Sequence, residues 1–167
     1  LQLLNDPDPT IYRTAVKGLG IFGHRVLFPL LDLFNTTSNC TVKACCIKAF
    51  VQVAVNFPDV VFPEQAITAL QSALDDENPV VSQSALMTLG YFSKQEHEKA
   101  RVIPMLLQVC NSANIAHVQS AVMSLAEVES IQVDKCFASM VNTDSTDPLI
   151  KEILESSMSR RQSLFGS

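Results

Sequence analysis

The sequence contains no apolar run approaching 18 residues, no CxxC or HExxH spacing and, among its twelve lysines and arginines, no basic cluster beyond the single pair Arg160-Arg161. Each absence excludes something. A chain without a long apolar run offers no membrane-spanning helix. A chain without those ligand spacings offers no local metal or dithiol motif. Scattered positive charge, at a net charge of −5, gives no footprint for nucleic acid, whose phosphates need a basic surface. Charged residues are scarce at 17% while hydrophobic residues reach 47%, so an apolar interior is expected rather than disorder. No signal peptide is visible. The chain opens at Leu1 on "LQLLNDPDP", which reads as the last turn of a helix already under way, so a truncated N-terminus is expected. The five cysteines form no disulfide framework, which fits a reducing, cytoplasmic compartment. In that setting the sequons at Asn35 and Asn39 are chance matches.

What is present includes "GLGIFG", residues 18–23, which spells G-x-G-x-x-G. That spacing cradles a dinucleotide only when it follows a strand, opens a helix and is followed by an acid about 20 residues on. Here "YRTAVK" precedes it, and no acid occurs from Leu33 to Pro58. A repeat explains the glycines better. "NDPDPTIYRTAVKGLGIFG" (5–23) aligns without a gap on "DDENPVVSQSALMTLGYFS" (75–93), with Pro9, Ala15, Leu19, Gly20 and Phe22 matched by Pro79, Ala85, Leu89, Gly90 and Phe92. Weaker copies, "VKACCIKAFVQV" (42–53) and "HVQSAVMSLAEV" (117–128), put Cys46 and Ala121 in the alanine column. The column before it is small too, with Thr14, Cys45, Ser84 and Ser120. A tiny residue, a large aliphatic after it and another large apolar residue three further on make one helix face. Ala15, Cys46, Ala85 and Ala121 are therefore expected to be equivalent buried contact points.

Asp8-Pro9, Asn78-Pro79 and Asp147-Pro148 each place a capping side chain before a proline at the first helical position. The glycines thus end a helix, where Gly20 allows close packing and Gly23 a left-handed exit. Second helices follow at 26–34, 62–74, 102–110 and 133–141, three with a proline near the start: Pro29, Pro63 and Pro104. "VQVAVNFPDVVF" is valine-rich enough for strands, but its place in the repeat outranks that propensity. The expectation is an all-α protein, an α-solenoid of about four helix pairs near 9–35, 41–75, 79–111 and 115–141, plus a terminal helix from about Asp147. Residues 1–158 would form the solenoid and 159–167 a C-terminal tail.

The pattern D-x-x-P-x-V-x-x-x-A-x-x-x-L-G, carried by "LLNDPDPTIYRTAVKGLGIFG" and "ALDDENPVVSQSALMTLGYFS", resembles the first helix of HEAT repeats. The short unit is most similar to the HEAT-like group of phycobilisome lyases and phycobilisome degradation factors. That resemblance implies a phycobiliprotein as partner, with a role in attaching or detaching bilin or in phycobilisome assembly or breakdown. It implies bilin as the ligand to consider, and no other cofactor. It supplies no short catalytic motif to place on these residues.

Single residues add little chemistry. Cys45 and Cys46 point about 100° apart on a helix and fall in packing columns, so they read as core rather than as a reactive or metal-binding pair. Cys40 stands at a helix start, where thiolate is favoured, with nothing else beside it. His24 and His97 fall in turns between helices and His117 in a packing column. The acids of "DDEN" (75–78) read as turn and cap, and "RRQS" (160–163) as a solvated tail rather than a phosphorylation site. What remains is the concave surface that repeat arrays present. With Leu30, Leu31, Phe34, Leu70 and Leu74 facing the core, Asp32, Gln65, Thr68, Gln71 and Gln108 would face a groove, joined by apolar Phe28 and Met105. A polar lining with apolar anchors suits a protein partner. The leading reading is a non-catalytic binding module. Its rivals are one subunit of a heterodimeric bilin lyase and a generic HEAT adaptor unconnected with pigments.

Overall fold

The computed structural model describes residues 1–166, and among them no strand occurs. The helices are α1 (Pro9–Leu19), α2 (Leu27–Thr36), α3 (Cys40–Asn56), α4 (Glu64–Leu74), α5 (Pro79–Phe92), α6 (Glu96–Val109), α7 (Ile115–Leu125), α8 (Ile131–Val141) and α9 (Pro148–Phe165). A 3-10 turn over Gln2–Asn5 precedes α1, and a second over Gly20–Val26 joins α1 to α2. The valine-rich stretch is helical as far as Asn56 and a loop beyond it.

The three expected proline-marked starts are made by the expected caps. Asp8 Oδ1 accepts from Thr10 N at 2.8 Å, Asn78 Oδ1 from Val80 N at 3.0 Å and Asp147 Oδ1 from Leu149 N at 2.8 Å. Each accepts a donor that the helix itself leaves unpaired. Asn39 and Asn114 cap α3 and α7 in the same way without a proline. A further polar residue stands two positions before each of four caps. Asp6, Thr37, Asp76 and Ser112 accept the backbone N–H of Asp8, Asn39, Asn78 and Asn114 at 2.9 to 3.1 Å. The first helix of every pair therefore begins with the same two-step relay, an Asx or Ser/Thr turn followed by a cap.

The chain divides into two compact units, Leu1–Leu89 and the residues from Gly90 onward. In the first, α1 and α2 pack on α3, and α2 packs on α4. Leu30, Ile47, Phe50, Phe62 and Leu70 are fully buried there, and the Phe50 and Phe62 rings meet edge-on with centroids 5.9 Å apart. Leu74, expected in this core, is half-buried. In the second unit α6 packs on α7, and α9 on α7 and α8, around Leu106, Leu125, Phe137 and Leu154.

Cys46, Ala85 and Ala121 are fully buried, as their column predicts, whereas Ala15 is only half-buried. α1 has α3 on one side, and its Ile11, Thr14 and Lys17 are exposed. The hydroxyls of the neighbouring small column cause no unpaired burial, because Ser84 Oγ donates to the Val80 carbonyl at 2.6 Å, one turn back.

Gly20 is a close-approach glycine. A Cβ there would lie 2.7 Å from both the Cβ and the carbonyl oxygen of Gln52 on α3. Its counterpart Gly90 lies against Ser124 of α7, whose hydroxyl a Cβ would strike. Gly23 has φ 59° and ψ −140°. The positive φ is as expected, but the exit is the mirror image of extended backbone rather than left-handed helix, and glycine tolerates both.

Two expected boundaries fail. α6 begins at Glu96 rather than near residue 102, so Pro104 lies inside it, at the cost of one helical hydrogen bond. Gln95 is the N-cap, and Glu96 and Glu98 occupy the first turn, where the helix dipole favours acids. The segment from 159 is not a tail. α9 continues to Phe165 because Arg161 is drawn inside, 4% exposed.

Candidate protein-binding surface

The expected surface residues lie on α2, α4 and α6. Phe28 and Asp32 are one turn apart on α2 and exposed, Phe28 at 57%. Gln65, Thr68 and Gln71 are exposed at three-residue intervals on α4. Leu30, Leu31, Phe34, Ala66, Ile67 and Leu70 take the opposite faces of the same helices and are buried, which leaves the polar positions outside. Within this first unit Gln65 and Thr68 meet in an open hollow of about 470 Å³. Its wall also includes Asn35, Glu64 and Ser72, and Phe34 and Ala69 form its apolar floor. Phe28, Asp32 and Gln71 stand outside that hollow. In the second unit Gln108 is exposed on α6 and Met105 half-buried.

Glu64 and Ser72 are not singled out by the sequence reading, and Asn35 enters it only as a chance sequon. Their signal was available: Ser72 follows Thr68 at helical spacing, and Asn35 lies one residue past Phe34.

The charge pattern near α3 is fixed by an ion pair. Lys43 Nζ lies 3.1 Å from Asp76 Oδ2 and 5.8 Å from the Phe34 ring centroid. The Asn78 backbone N–H, with Lys43 behind it, holds the Asp76 carboxyl below its ordinary value. Asp76 and Asn78 thus serve as turn and cap, as read from "DDEN".

The thiols sort into two kinds. Burial pushes Cys45 up and Cys46 up to about 12, so both are inert packing residues. Cys110, the residue after α6, and Cys136 on α8 are joined by no sequence motif; a hydrogen bond between their thiols raises Cys110 and lowers Cys136. The Cys136 sulfur also lies 3.8 Å from the thioether of Met140, one turn along α8.

The histidines do not converge on a site. His24 is exposed in the turn after α1, His97 is half-buried in the first turn of α6 rather than in a turn between helices, and His117 is half-buried on α7. Among the described residues no group of three His, Cys, Asp or Glu is placed to hold a metal ion. No helix there is long and apolar enough to cross a membrane.

Arg161 is the largest departure from the sequence reading. Its Nε donates to Asp134 Oδ1 at 2.9 Å, and its Nη1 donates to the carbonyl oxygens of Leu125, at 2.9 Å, and Val128. The guanidinium lies 5.8 Å from the Phe137 ring centroid and 5.4 Å from that of Phe165. It closes the C-terminal end of α7 with a charge of the sign the helix dipole favours. Arg160, beside it, pairs with Glu127 at 2.7 Å, and Lys94 pairs with the other oxygen of that carboxylate. Both arginines of "RRQS" are thus engaged.

Comparison with known proteins places this arrangement. Residues 62–158 match the model of HEAT repeats. The bilin biosynthesis protein CpeZ of Synechococcus sp. (strain WH8020) is 83% identical over the whole chain, which covers 90% of that protein. The uncharacterized phycocyanin operon protein Z of Pseudanabaena tenuis (strain PCC 7409) is 29% identical over 99% of the chain and 80% of its own length. Among solved structures, the complex of CpcE and CpcF of phycocyanin lyase from Nostoc sp. PCC7120 contains a chain that superposes with a TM-score of 0.70 at 16% identity, over 94% of both chains. An engineered protein superposes at 0.54, over 97% of this chain and 77% of that one, also at 16% identity. At such identities these two likenesses show the fold, an all-α helical-repeat solenoid. On the match to the repeat model and the full-length identity to CpeZ, the chain belongs to the HEAT-repeat family and, within it, to the family of that bilin biosynthesis protein.

Proposed function

We propose that the chain is a non-catalytic, cytoplasmic binding protein for phycobiliproteins, which assists bilin attachment or detachment or the assembly or breakdown of the phycobilisome. The observation that carries this reading is the 83% identity, over the whole chain, to a bilin biosynthesis protein. The exposed α2 and α4 residues support it with a polar surface around the apolar anchor Phe28, a composition suited to a protein partner. Bilin enters as cargo on the partner. The five free thiols agree with a reducing compartment.

A pull-down from the native extract with the tagged chain tests the reading, with phycobiliprotein subunits expected in the eluate. Asp32→Lys with Gln108→Glu should weaken that capture without lowering thermal stability. Single contacts on such surfaces carry about 1 kcal/mol, so the two changes are made together. Cys45→Ser with Cys46→Ala should retain capture. An eluate without phycobiliprotein, or capture lost on removing the two thiols from a folded chain, overturns the proposal.

The 83% identity to a bilin biosynthesis protein is equally compatible with a second reading, one subunit of a heterodimeric bilin lyase. Absorbance separates the two. A lyase subunit, supplied with its partner, free bilin and apo-phycobiliprotein, yields a covalent red-shifted product that survives denaturation, whereas a binding module yields none.

A further inference from the structure

Residues 9–56 carry five lysines and arginines against one acid, Asp32, in a chain whose net charge is −5. Of the five, Lys43 has the carboxylate of Asp76 beside it. Arg13, Lys17, Arg25 and Lys48 are exposed and form no ion pair among the described residues. In the second unit, by contrast, Lys94, Lys99, Arg101, Arg160 and Arg161 all have carboxylate partners.

The fold gathers the unpaired charges. α1 and α3 pack on each other and run in the same direction. Near their starts the Asn39 side chain, the cap of α3, donates to Asn5 Oδ1 at 3.0 Å, and towards their ends Gly20 meets Gln52. Lys17 and Lys48 each stand two residues after the small residue of the repeat, Ala15 and Cys46, and one turn before the Gly20–Gln52 approach. They therefore project from the same side of the α1–α3 layer at the same height. Arg13 is one turn earlier on α1, and Ile21, 71% exposed, is one turn later. Packing does not dictate lysine here, because later copies place the exposed Met87 and Met123 in the same column. The helix dipole accounts for Lys17, in the last turn of α1, but not for Lys48 in the middle of α3.

We propose that the face formed by Arg13, Lys17, Ile21 and Lys48 is a second docking surface, carried by the first helices of the repeats rather than by α2 and α4, and that its occupant is an acidic patch on a protein partner. Charge and Ile21 select that occupant. A chain of net negative charge repels an acidic partner as a whole and attracts it on this face, so the face orients the encounter and speeds it more than it adds affinity. Nucleic acid asks for a longer track of phosphate-binding cations than three on one face. Ile21 beside the apolar stems of the lysines gives a small dry contact with a charged rim, which a protein surface can cover.

This placement presupposes the binding role proposed above, but its first probe needs no native partner. The isotope-labelled chain is titrated with poly-L-glutamate at low ionic strength, where screening is weakest, and its amides are followed by NMR. The amides around Lys17 and Lys48 should move. The response should vanish in Lys17→Met with Lys48→Met, side chains that the same column accepts in later copies, with the helical circular dichroism retained. Lys17→Gln with Lys48→Gln repeats the test without added apolar surface. With purified phycobiliprotein the same double changes should slow association about tenfold and leave dissociation little altered, and added salt should slow the parent towards the variants. Shifts scattered over the chain, shifts that persist in both double variants, or tighter binding of polyadenylate or of phosphatidylserine vesicles than of poly-L-glutamate overturns the inference. So does a phycobiliprotein that associates equally fast with parent and variants. A phycobiliprotein that binds none of them, with the poly-L-glutamate response intact, overturns the proposed function and supports the acidic-partner face.

Discussion

Gly18 and Gly20 sit two residues apart, and alanine at each should shift stability in opposite directions. Around Gly18 there is nothing within 4 Å of an added Cβ. Alanine there relieves only the conformational freedom that glycine has in the unfolded chain, and should stabilise by about 0.5–1 kcal/mol. At Gly20 the same methyl group would lie 2.7 Å from the Gln52 Cβ and carbonyl oxygen and 2.8 Å from Asn56 Nδ2. Ordinary contact requires more than half an ångström of additional separation. Two of the three atoms belong to the α3 backbone or its first side-chain carbon, so a rotamer change relieves only the Asn56 contact. The 3-10 turn must then lift off α3. Overpacking of this kind costs about 1–3 kcal/mol, against which the unfolded-state gain is smaller. For a chain of this size each kcal/mol moves the melting temperature by about 2–4 °C.

Urea unfolding followed by circular dichroism at 222 nm measures both changes, and an unaltered slope shows that compactness is unaffected. Gly18→Ala should unfold at higher urea than the parent and Gly20→Ala at lower. Equal midpoints for the two variants, or a Gly20→Ala variant as stable as the parent, would refute the claim that the repeat's second glycine exists for helix approach. The same outcome would reopen the dinucleotide reading of "GLGIFG", which isothermal titration with NAD(H) tests directly. No binding is expected.

Ala85 is fully buried at the column centre, so Ala85→Leu should overpack it and cost about 1–3 kcal/mol in the same urea experiment. Arg161→Met keeps much of the volume but removes the guanidinium donor from the Val128 carbonyl and leaves the Leu125 carbonyl only the Val128 N–H at 3.0 Å, which should cost about 1–3 kcal/mol and increase hydrogen exchange at the end of α7. Asp76 has a lowered folded pKa, so its contribution is present above the ordinary carboxylate value and is lost as pH falls through the folded one. Asp76→Asn should therefore flatten the acid limb of a stability-against-pH profile, and an unchanged limb would remove Asp76 from it.

Most of the fold was legible because it repeats. Pro9, Pro79 and Pro148 marked three starts, and the columns of Cys46, Ala85 and Ala121 gave the buried face. The failures occur where a local rule met a tertiary contact. Pro104 looked like a first-turn proline, yet α6 starts eight residues earlier on its acids and tolerates the lost hydrogen bond. Arg161 looked solvated in a polar run, and no periodicity in that run could disclose carbonyls from the end of α7. The Cys110–Cys136 contact was illegible for the same reason, since it joins residues 26 positions apart that no motif connects. Conversely, the relay of Asp6, Thr37, Asp76 and Ser112 was visible at a fixed distance before each cap, hidden only by its variation among three residue types.

That division bears on where function resides. A repeat column is shared by every copy, so it serves packing, and a residue specific to one copy is free to serve something else. The apolar faces of α2 and α4 are buried, and what remains outside differs between these helices: Phe28 and Asp32 on one, Gln65, Thr68 and Gln71 on the other. A solenoid meant only to be stable would place long charged side chains there, because an exposed phenylalanine contributes nothing to the core and raises the risk of association. Phe28, 57% exposed on a helix whose Leu27, Leu30, Leu31 and Phe34 already fill the core, is accordingly the first residue to alter when the surface is mapped. If Phe28→Ser leaves stability unchanged and weakens partner capture, the apolar anchor belongs to recognition. If capture is unchanged, the polar residues of α4 carry the recognition and the exposed ring has no part in it.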